Sequence, residues 1–362
     1  MCYKRECTVF SMYVSVLSCL LISGFVQHEY CTAGNQLTIF PTMSKSIAPE
    51  FSWTFFLPRY WPTWLLLFVM YALSWLPYRV QRWLGKGIGR LAIGLMKKRR
   101  FTIERNLELC FPELSESERQ AMMKRNIDNT GLALFETGMA WFWSDARVNR
   151  HVRIEGLEHI EKLEKEGKGA VFIAVHSMNL ELGARAFGIH KSGTGVYRPN
   201  NNPLFDYVQY FGRSRSNRTL IDRKDVKGML NALRDGHRVW YAPDHDYGLR
   251  RSTFAPLFAV DKACTTTGTS LLVDSSGSEV ASFVMVRESD SGQYVIKINP
   301  PFEDFPRNDP ENAAIFVNKV VEQSIMEAPD QYMWLHRRFK TRPEGEPCLY
   351  SKAEPELKER TA

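Results

Sequence analysis

The chain lacks the usual signatures of a protein nucleophile or a metal centre. It has no G-x-S-x-G, no C-x-x-C and no Cys/His spacing suited to zinc. Cysteine is scarce in the body of the chain: Cys2, Cys7, Cys19 and Cys31 crowd the start, and only Cys110, Cys264 and Cys348 follow. That distribution gives no disulfide framework and reads as a thiol-reduced, cytosol-facing body. Internal repeats are missing, which excludes a repeat architecture. Acids are missing entirely from residues 79–100, which hold Arg79, Arg82, Lys86, Arg90, Lys97, Lys98, Arg99 and Arg100.

What is present begins with size and charge. The chain has 362 residues, enough for one large domain or two ordinary ones with a sizeable core. A formal net charge of +7 favours an anionic partner: nucleic acid, anionic lipid or a phosphorylated substrate. Aromatics make up 12% of residues, and several of the nine tryptophans crowd Trp53 to Trp83.

Two apolar runs compete as membrane segments. Thr8 to Val26 has the length of a span and follows Lys4 and Arg5, so it reads as a transmembrane helix or a signal peptide cleaved near Ala33. A third reading places the natural start at Met43 and makes residues 1–42 an extension. Trp61 to Pro77, WPTWLLLFVMYALSWLP, is the stronger candidate, with Trp and Tyr near its ends as in an aromatic belt; being slightly short, it either spans with help from Phe55, Phe56 and Leu57 or lies partly in the interface. The acid-free basic stretch after it places the C-terminal side in the cytoplasm by the positive-inside rule. Val80, Trp83, Leu84, Ile88, Leu91, Ile93 and Leu95 give that stretch an apolar face able to rest on anionic headgroups. With an anchor of this kind the chain reads poorly as a nucleic-acid binder. The expected organisation is an extension (1–42), a membrane anchor (43–78), a basic helical membrane-proximal region (79–150), an α/β catalytic domain (151–343) and a polar tail (344–362).

Ser115 and Glu118 stand at capping-box spacing before a long helical pattern that ends in GLALFETGMAWFW, where Glu136 is the odd residue, either exposed or reaching the acyl site. From Val152 onward, short apolar strands alternate with helical patterns. This predicts an α/β fold with a mixed, largely parallel sheet flanked by helices, its sites at the carboxyl ends of strands. The central stretch is AVFIAVHSMNLELGAR, residues 170–185. A buried strand ends at His176, and Glu181 follows in the first turns of a helix. From there Glu181 can point back at the imidazole, leaving a neutral histidine to take a proton from a hydroxyl. With no serine or cysteine nucleophile motif, the attacking group is the substrate's own hydroxyl, in a direct acyl transfer without an acyl-enzyme.

Other strand and helix ends add candidates. Arg198 follows a short strand, and Asp244 follows another in PDHDYG; Asp244 is either a site residue or a turn residue. Arg213, Arg215 and Arg218 have no nearby acid before Asp222, so they either bind an anion or form a solvated basic loop. Thr265 to Thr269 either line a narrow acyl tunnel or form a plain strand. The segment Trp334 to Pro343 is dense in cations and aromatics, suited to an anionic substrate, a carrier or headgroups.

Six ordered stretches together resemble a known family: HSMNLELGAR (176–185), YRPNNNPLFD (197–206), GRSRSN (212–217), IDRKDVKGML (221–230), VWYAPDHDYG (239–248) and YMWLHRRFKTRP (332–343). They are similar to the late acyltransferases of lipid A biosynthesis, of the lauroyl/palmitoleoyl type, from about Phe51 to Pro343. The resemblance implies a glycerolipid-acyltransferase-like fold with an N-terminal membrane helix. It also implies an enzyme of the bacterial inner membrane whose catalytic domain faces the cytoplasm. Its reaction would move a fatty acyl chain from acyl carrier protein, as a phosphopantetheine thioester, to a hydroxyl of Kdo2-lipid IVA, with no metal and no other cofactor. The family's dyad maps onto His176 and Glu181, and its further important residues onto Arg213 and Asp244, with Arg198 in the adjoining motif; Arg215, beside Arg213 in GRSRSN, is a further substrate-binding candidate. Laurate, myristate and palmitoleate all stay open, with lauroyl or palmitoleoyl transfer the leading expectation. The competing acceptor is a glycerophospholipid, which H-x4-D/E chemistry also serves.

Overall fold

The computed structural model describes residues 48–191, 193–288 and 291–351. The readings of residues 1–42, and most of the polar tail, lie outside the described residues.

After two short 3-10 turns come helices α1 (Trp61–Ser74), α2 (Tyr78–Leu95) and α3 (Lys97–Cys110). The long α4 (Glu116–Phe142) and short α5 (Asp145–His151) follow. The α/β region then runs β1 (Val152–Glu155), α6 (Leu157–Lys165), β2 (Ala170–Ile173), α7 (Leu180–His190), β3 (Gly193–Tyr197), α8 (Pro203–Ser214), β4 (Asn217–Asp222), α9 (Val226–Arg234) and β5 (Arg238–Tyr241). The hairpin β6 (Ser252–Leu257) and β7 (Val260–Thr266), α10 (Gly268–Ser276), β8 (Glu279–Glu288), β9 (Gln293–Ile298) and α11 (Pro310–Met326) complete it.

The main sheet has seven strands in the order β1-β9-β8-β2-β5-β3-β4. All neighbours are parallel except the β8–β9 pair, so the sheet is mixed and largely parallel, as the alternating texture predicts. β2 sits at its centre with all four residues buried, the pattern of a strand covered on both faces. Helix α4 starts at the expected capping box: Glu118 N–H donates to Ser115 Oγ at 3.4 Å, and Ser115 N–H to Glu118 Oε2 at 2.8 Å.

The expected N-terminal membrane helix is corrected by the structure. The 14 residues of α1 reach about 21 Å at 1.5 Å per residue, short of a hydrocarbon core of roughly 30 Å. The chain then turns through Trp75, Leu76 and Pro77 before α2 starts. Among the described residues no helix is long and apolar enough to cross a membrane. Leu67, Met70 and Ser74 of α1 are instead buried in the fold, the first two as part of the core beneath α4.

The apolar face expected of α2 is split between two uses. Gln81, Gly85, Gly89 and Ile93, each four residues apart, are buried, while Trp83, Ile88, Leu91 and Leu95 remain exposed. Glycines set the close approach of α2 to α4. A Cβ on Gly131 would run into the Gly85 carbonyl oxygen and the Gly89 backbone, and one on Gly89 into the Ile127 carbonyl. Both partners are backbone, which cannot step aside as a side chain can. Gly131→Ala is therefore expected to destabilise the protein by about 3 kcal/mol, the upper end for overpacking, read as a lowered midpoint in chemical denaturation. An unchanged midpoint would mean the helices can slide apart at no cost.

Candidate active site

His176 and Asp244 meet because of strand register. β2 and β5 are parallel neighbours with Ile173 opposite Tyr241. Each chain continues three residues past that pair, and the two side chains arrive side by side at the carboxyl end of the sheet. Asp244 Oδ1 lies 2.7 Å from His176 Nδ1, and Asp244 Oδ2 accepts the His176 backbone N–H at 2.9 Å. Tyr332 donates its hydroxyl to Oδ2 as well, at 2.9 Å. The 331–333 segment also secures the turn itself: Met178 N–H donates to the Gln331 carbonyl at 2.9 Å, and Met333 N–H to that of His176 at 3.1 Å.

The Asp244 side chain is wholly buried, whereas the His176 side chain is 27% exposed. Burial pushes the Asp244 carboxyl up, but the two adjoining imidazoles and the hydrogen bonds from the His176 ring and backbone outweigh it and hold the group far below the usual carboxylate range. An ionised carboxylate is acceptor-only, so the proton on His176 resides at Nδ1. Nε2 is left with its lone pair free. This tautomer can accept a proton from a hydroxyl in the cavity.

The cavity measures about 1250 Å³. His176, Glu181, Arg198 and Arg213 all line it, as do Trp141 and Tyr197. Arg215 does not: its guanidinium donates to the carbonyls of Trp141, at 2.5 Å, and Trp143, at 3.0 Å. The basic loop read from GRSRSN is thus the end of α8 folded onto the end of α4, with Arg215, itself exposed, held there by two backbone carbonyls. Arg213 is engaged too, by a residue distant in sequence.

Glu181 does not point back at the imidazole as its spacing suggests. Arg213 Nε donates to both Glu181 oxygens, at 3.0 and 3.1 Å, and Nη2 bonds Oε1 as well. Trp141 Nε1 donates to Oε2 at 3.3 Å. Burial pushes the Glu181 carboxyl up, but the Arg213 charge and these hydrogen bonds prevail and hold it below its ordinary value. The carboxylate on His176 is therefore Asp244, placed by β5, and the carboxylate on Arg213 is Glu181, placed by the first turn of α7. Glu136 is likewise not at the cavity: it is buried against Arg287 and Tyr294, which donate to its Oε1 at 2.6 and 2.9 Å.

His245, Tyr332 and His336 were not read from sequence as site residues. The His245 ring lies on that of His176, with centroids 3.6 Å apart and planes 9° apart. Position next to Asp244 in PDHDYG is the available signal for His245, and membership of the YMWLHRRFKTRP stretch is the one for Tyr332 and His336. The donor atoms of His176, Asp244 and His245 lie within 4.8 Å of one another, close enough for a cation. Stacked rings send their in-plane lone pairs side by side rather than to one point, and His176 already directs Nδ1 at Asp244, so the set is poorly shaped to hold a metal. Thr265 and Thr266 end β7 and Thr269 lies in α10; of these only Thr266 lines the cavity.

The sequence model of the family described as bacterial lipid A biosynthesis acyltransferase matches residues 48–341. The lipid A biosynthesis lauroyltransferase of Escherichia coli (strain K12) is 52% identical over 302 residues, covering 83% of this chain and 99% of that protein. The lipid A biosynthesis palmitoleoyltransferase of the same organism is 45% identical over 301 residues, covering 83% and 98%. Among solved structures, the 1-acyl-sn-glycerophosphate (LPA) acyltransferase PlsC from Thermotoga maritima covers 66% of this chain and 98% of its own, with a TM-score of 0.33 and 13% identity, too distant to bear on function. A family match across most of the chain, joined by relatives about half identical over nearly their full length, makes this protein a member of the bacterial lipid A biosynthesis acyltransferases and an acyltransferase itself.

Proposed function

We propose that the enzyme transfers a fatty acyl chain, laurate or palmitoleate, from the phosphopantetheine thioester of acyl carrier protein to a hydroxyl of Kdo2-lipid IVA. The observation that carries this reading is His176 on the wall of a cavity of about 1250 Å³, with Nδ1 held by buried Asp244 so that Nε2 keeps its lone pair. Nε2 takes the proton of the acceptor hydroxyl as its oxygen attacks the thioester carbonyl carbon. The tetrahedral intermediate collapses, the C–S bond breaks, and the imidazolium returns the proton to the departing sulfur. A thiolate leaves readily, so one group serves as base and then acid. Glu181 and Arg213 act as a unit, the carboxylate fixing the guanidinium on the cavity wall beside the reacting groups.

The charge of the cavity supports anionic substrates. Arg198, Arg223, Lys224, Lys227, Arg250 and Arg251 line it, exposed and in no ion pair among the described residues. They suit the phosphates and sugar carboxylates of the acceptor and the phosphate of the donor's arm. The relatives that are lauroyl- and palmitoleoyltransferases support those chain lengths over myristate. A seat on the cytoplasmic face of the inner membrane is supported by α1 and α2. There Trp61, Leu65, Phe68, Trp83, Leu91 and Leu95 are exposed beside Arg79 and Lys86, a surface suited to lie among anionic headgroups without crossing the bilayer.

The test is purified protein given acyl carrier protein thioester with either Kdo2-lipid IVA or a lysophosphatidate. Acylation of the former, with loss of roughly 10²- to 10⁴-fold in His176→Ala, is the expected result. Preference for the lysophosphatidate would replace the acceptor. Near wild-type turnover in His176→Ala would remove the base. Mass spectrometry of the product reads the chain length preferred from a mixture of donors.

A further inference from the structure

Among the described residues the His245 ring makes no hydrogen bond that explains its place. Its Nε2 is buried without a partner, a costly arrangement for a ring present only to satisfy polar neighbours. What it offers is a flat face. One side meets His176, at 3.6 Å and 9°, and His336 approaches at 4.2 Å and 34°. No ring contact joins His176 to His336 among the described residues, so His245 lies between them. Asp244 grips the His176 imidazole at one edge, Nδ1, which fixes a point on the ring and leaves its tilt to be set by something else. Burial, with the charge that His176 gains when it takes up a proton, pushes the His245 ring down to about 2, so it stays neutral. A neutral π face tolerates a cation forming on its neighbour, where a second cation at this distance would oppose it.

From this stack we infer that His245 is a positioning residue, setting the plane in which the His176 imidazole meets the acceptor hydroxyl, with His336 as its outer support. The inference rests on the reading of His176 as the base. It separates shape from chemistry: the face matters and the ring nitrogens do not.

Three variants of the full chain test it in the acyl-transfer assay, with thermal unfolding as the check on folding. His245→Leu keeps bulk but loses the flat face, and kcat is expected to fall about 10- to 100-fold, as for a base misplaced by an ångström or less, with both KM values within about twofold. His245→Phe restores the face without the nitrogens and is expected to recover most of the turnover lost in the leucine variant. His176→Ala serves as reference. Wild-type kcat in His245→Leu, or a phenylalanine variant as slow as the leucine one, overturns the inference; the second result would give the ring nitrogens a chemical part. If His245→Leu does not fold, His245→Phe decides alone, since turnover near wild type supports the inference and slow turnover overturns it. An active His176→Ala removes the base itself, whereas an inactive one beside a fully active His245→Leu removes only the positioning role.

Discussion

Asp244→Asn is expected to lower kcat by roughly 10⁴-fold while leaving substrate KM values and the fold nearly unchanged, by analogy with loss of the orienting carboxylate in a serine protease triad. The carboxylate accepts three hydrogen bonds, from the His176 ring, the His176 backbone and the Tyr332 hydroxyl. An amide of the same shape can turn its NH2 toward Nδ1, which moves the ring proton to Nε2 and occupies the lone pair that has to act as base. Asp244 is fully buried, so substrate binding has little to lose from the exchange. The measurement is steady-state turnover with circular dichroism to confirm folding. Glu181→Gln is the comparison. It weakens the hold on Arg213 but leaves the Nδ1 contact alone, so its loss should be the smaller of the two. A Glu181→Gln variant slower than Asp244→Asn would return the orienting role to Glu181.

The second large effect concerns stability. Arg287→Ala is expected to destabilise the fold by about 3–5 kcal/mol, because it strands a buried carboxylate without its counter-ion. Glu136 is wholly buried and Arg287 nearly so, with 2.6 Å between Oε1 and Nη1. Tyr294 and Asn129 complete the group and bind α4 to β8 and β9. The paired change Glu136→Met with Arg287→Met removes both charges and should recover most of the lost stability in a denaturant titration. A double variant no better than the single would mean that the hydrogen bonds to Tyr294 and Asn129, rather than the charge, hold these layers together. Activity should fall with the single change too: Gln331 bonds both the N–H and the C=O of Arg287, and its neighbour Tyr332 bonds Asp244.

Local pattern carried much of this fold in the sequence. The buried strand that opens at Ala170 and the Ser115 capping box are set by neighbouring residues and stand where apolar pattern and caps place them. Elements stabilised mainly by distant partners were harder to read. β1 is four residues long and exists through its pairing with β9, some 140 positions away. β4, Asn217–Asp222, carries Arg218 and Asp222 and resembles a polar loop until it pairs with β3. The same division runs through the site. His176 and Arg198 are legible because each follows an apolar strand, and Arg213 because cations cluster in GRSRSN. Which acid serves which cation is not, since Glu181 is near His176 in sequence while Asp244 is near it in space. Helix α1 was overread for a related reason: apolar content counts residues, but Leu67 and Met70 face protein, not lipid.

The register of β2 against β5 has a consequence for how this protein can change over time. Ile173 to His176 and Tyr241 to Asp244 are segments of equal length, starting from paired residues and ending in a hydrogen bond. They act as matched rulers. Substitutions within either, at Ala174, Val175, Ala242 or Pro243, alter packing but keep the two ends level. Losing or gaining one residue in a single segment would displace one end by about 3.3 Å, more than the whole length of the bond it must make. These loops are thus open to drift in composition and closed to drift in length.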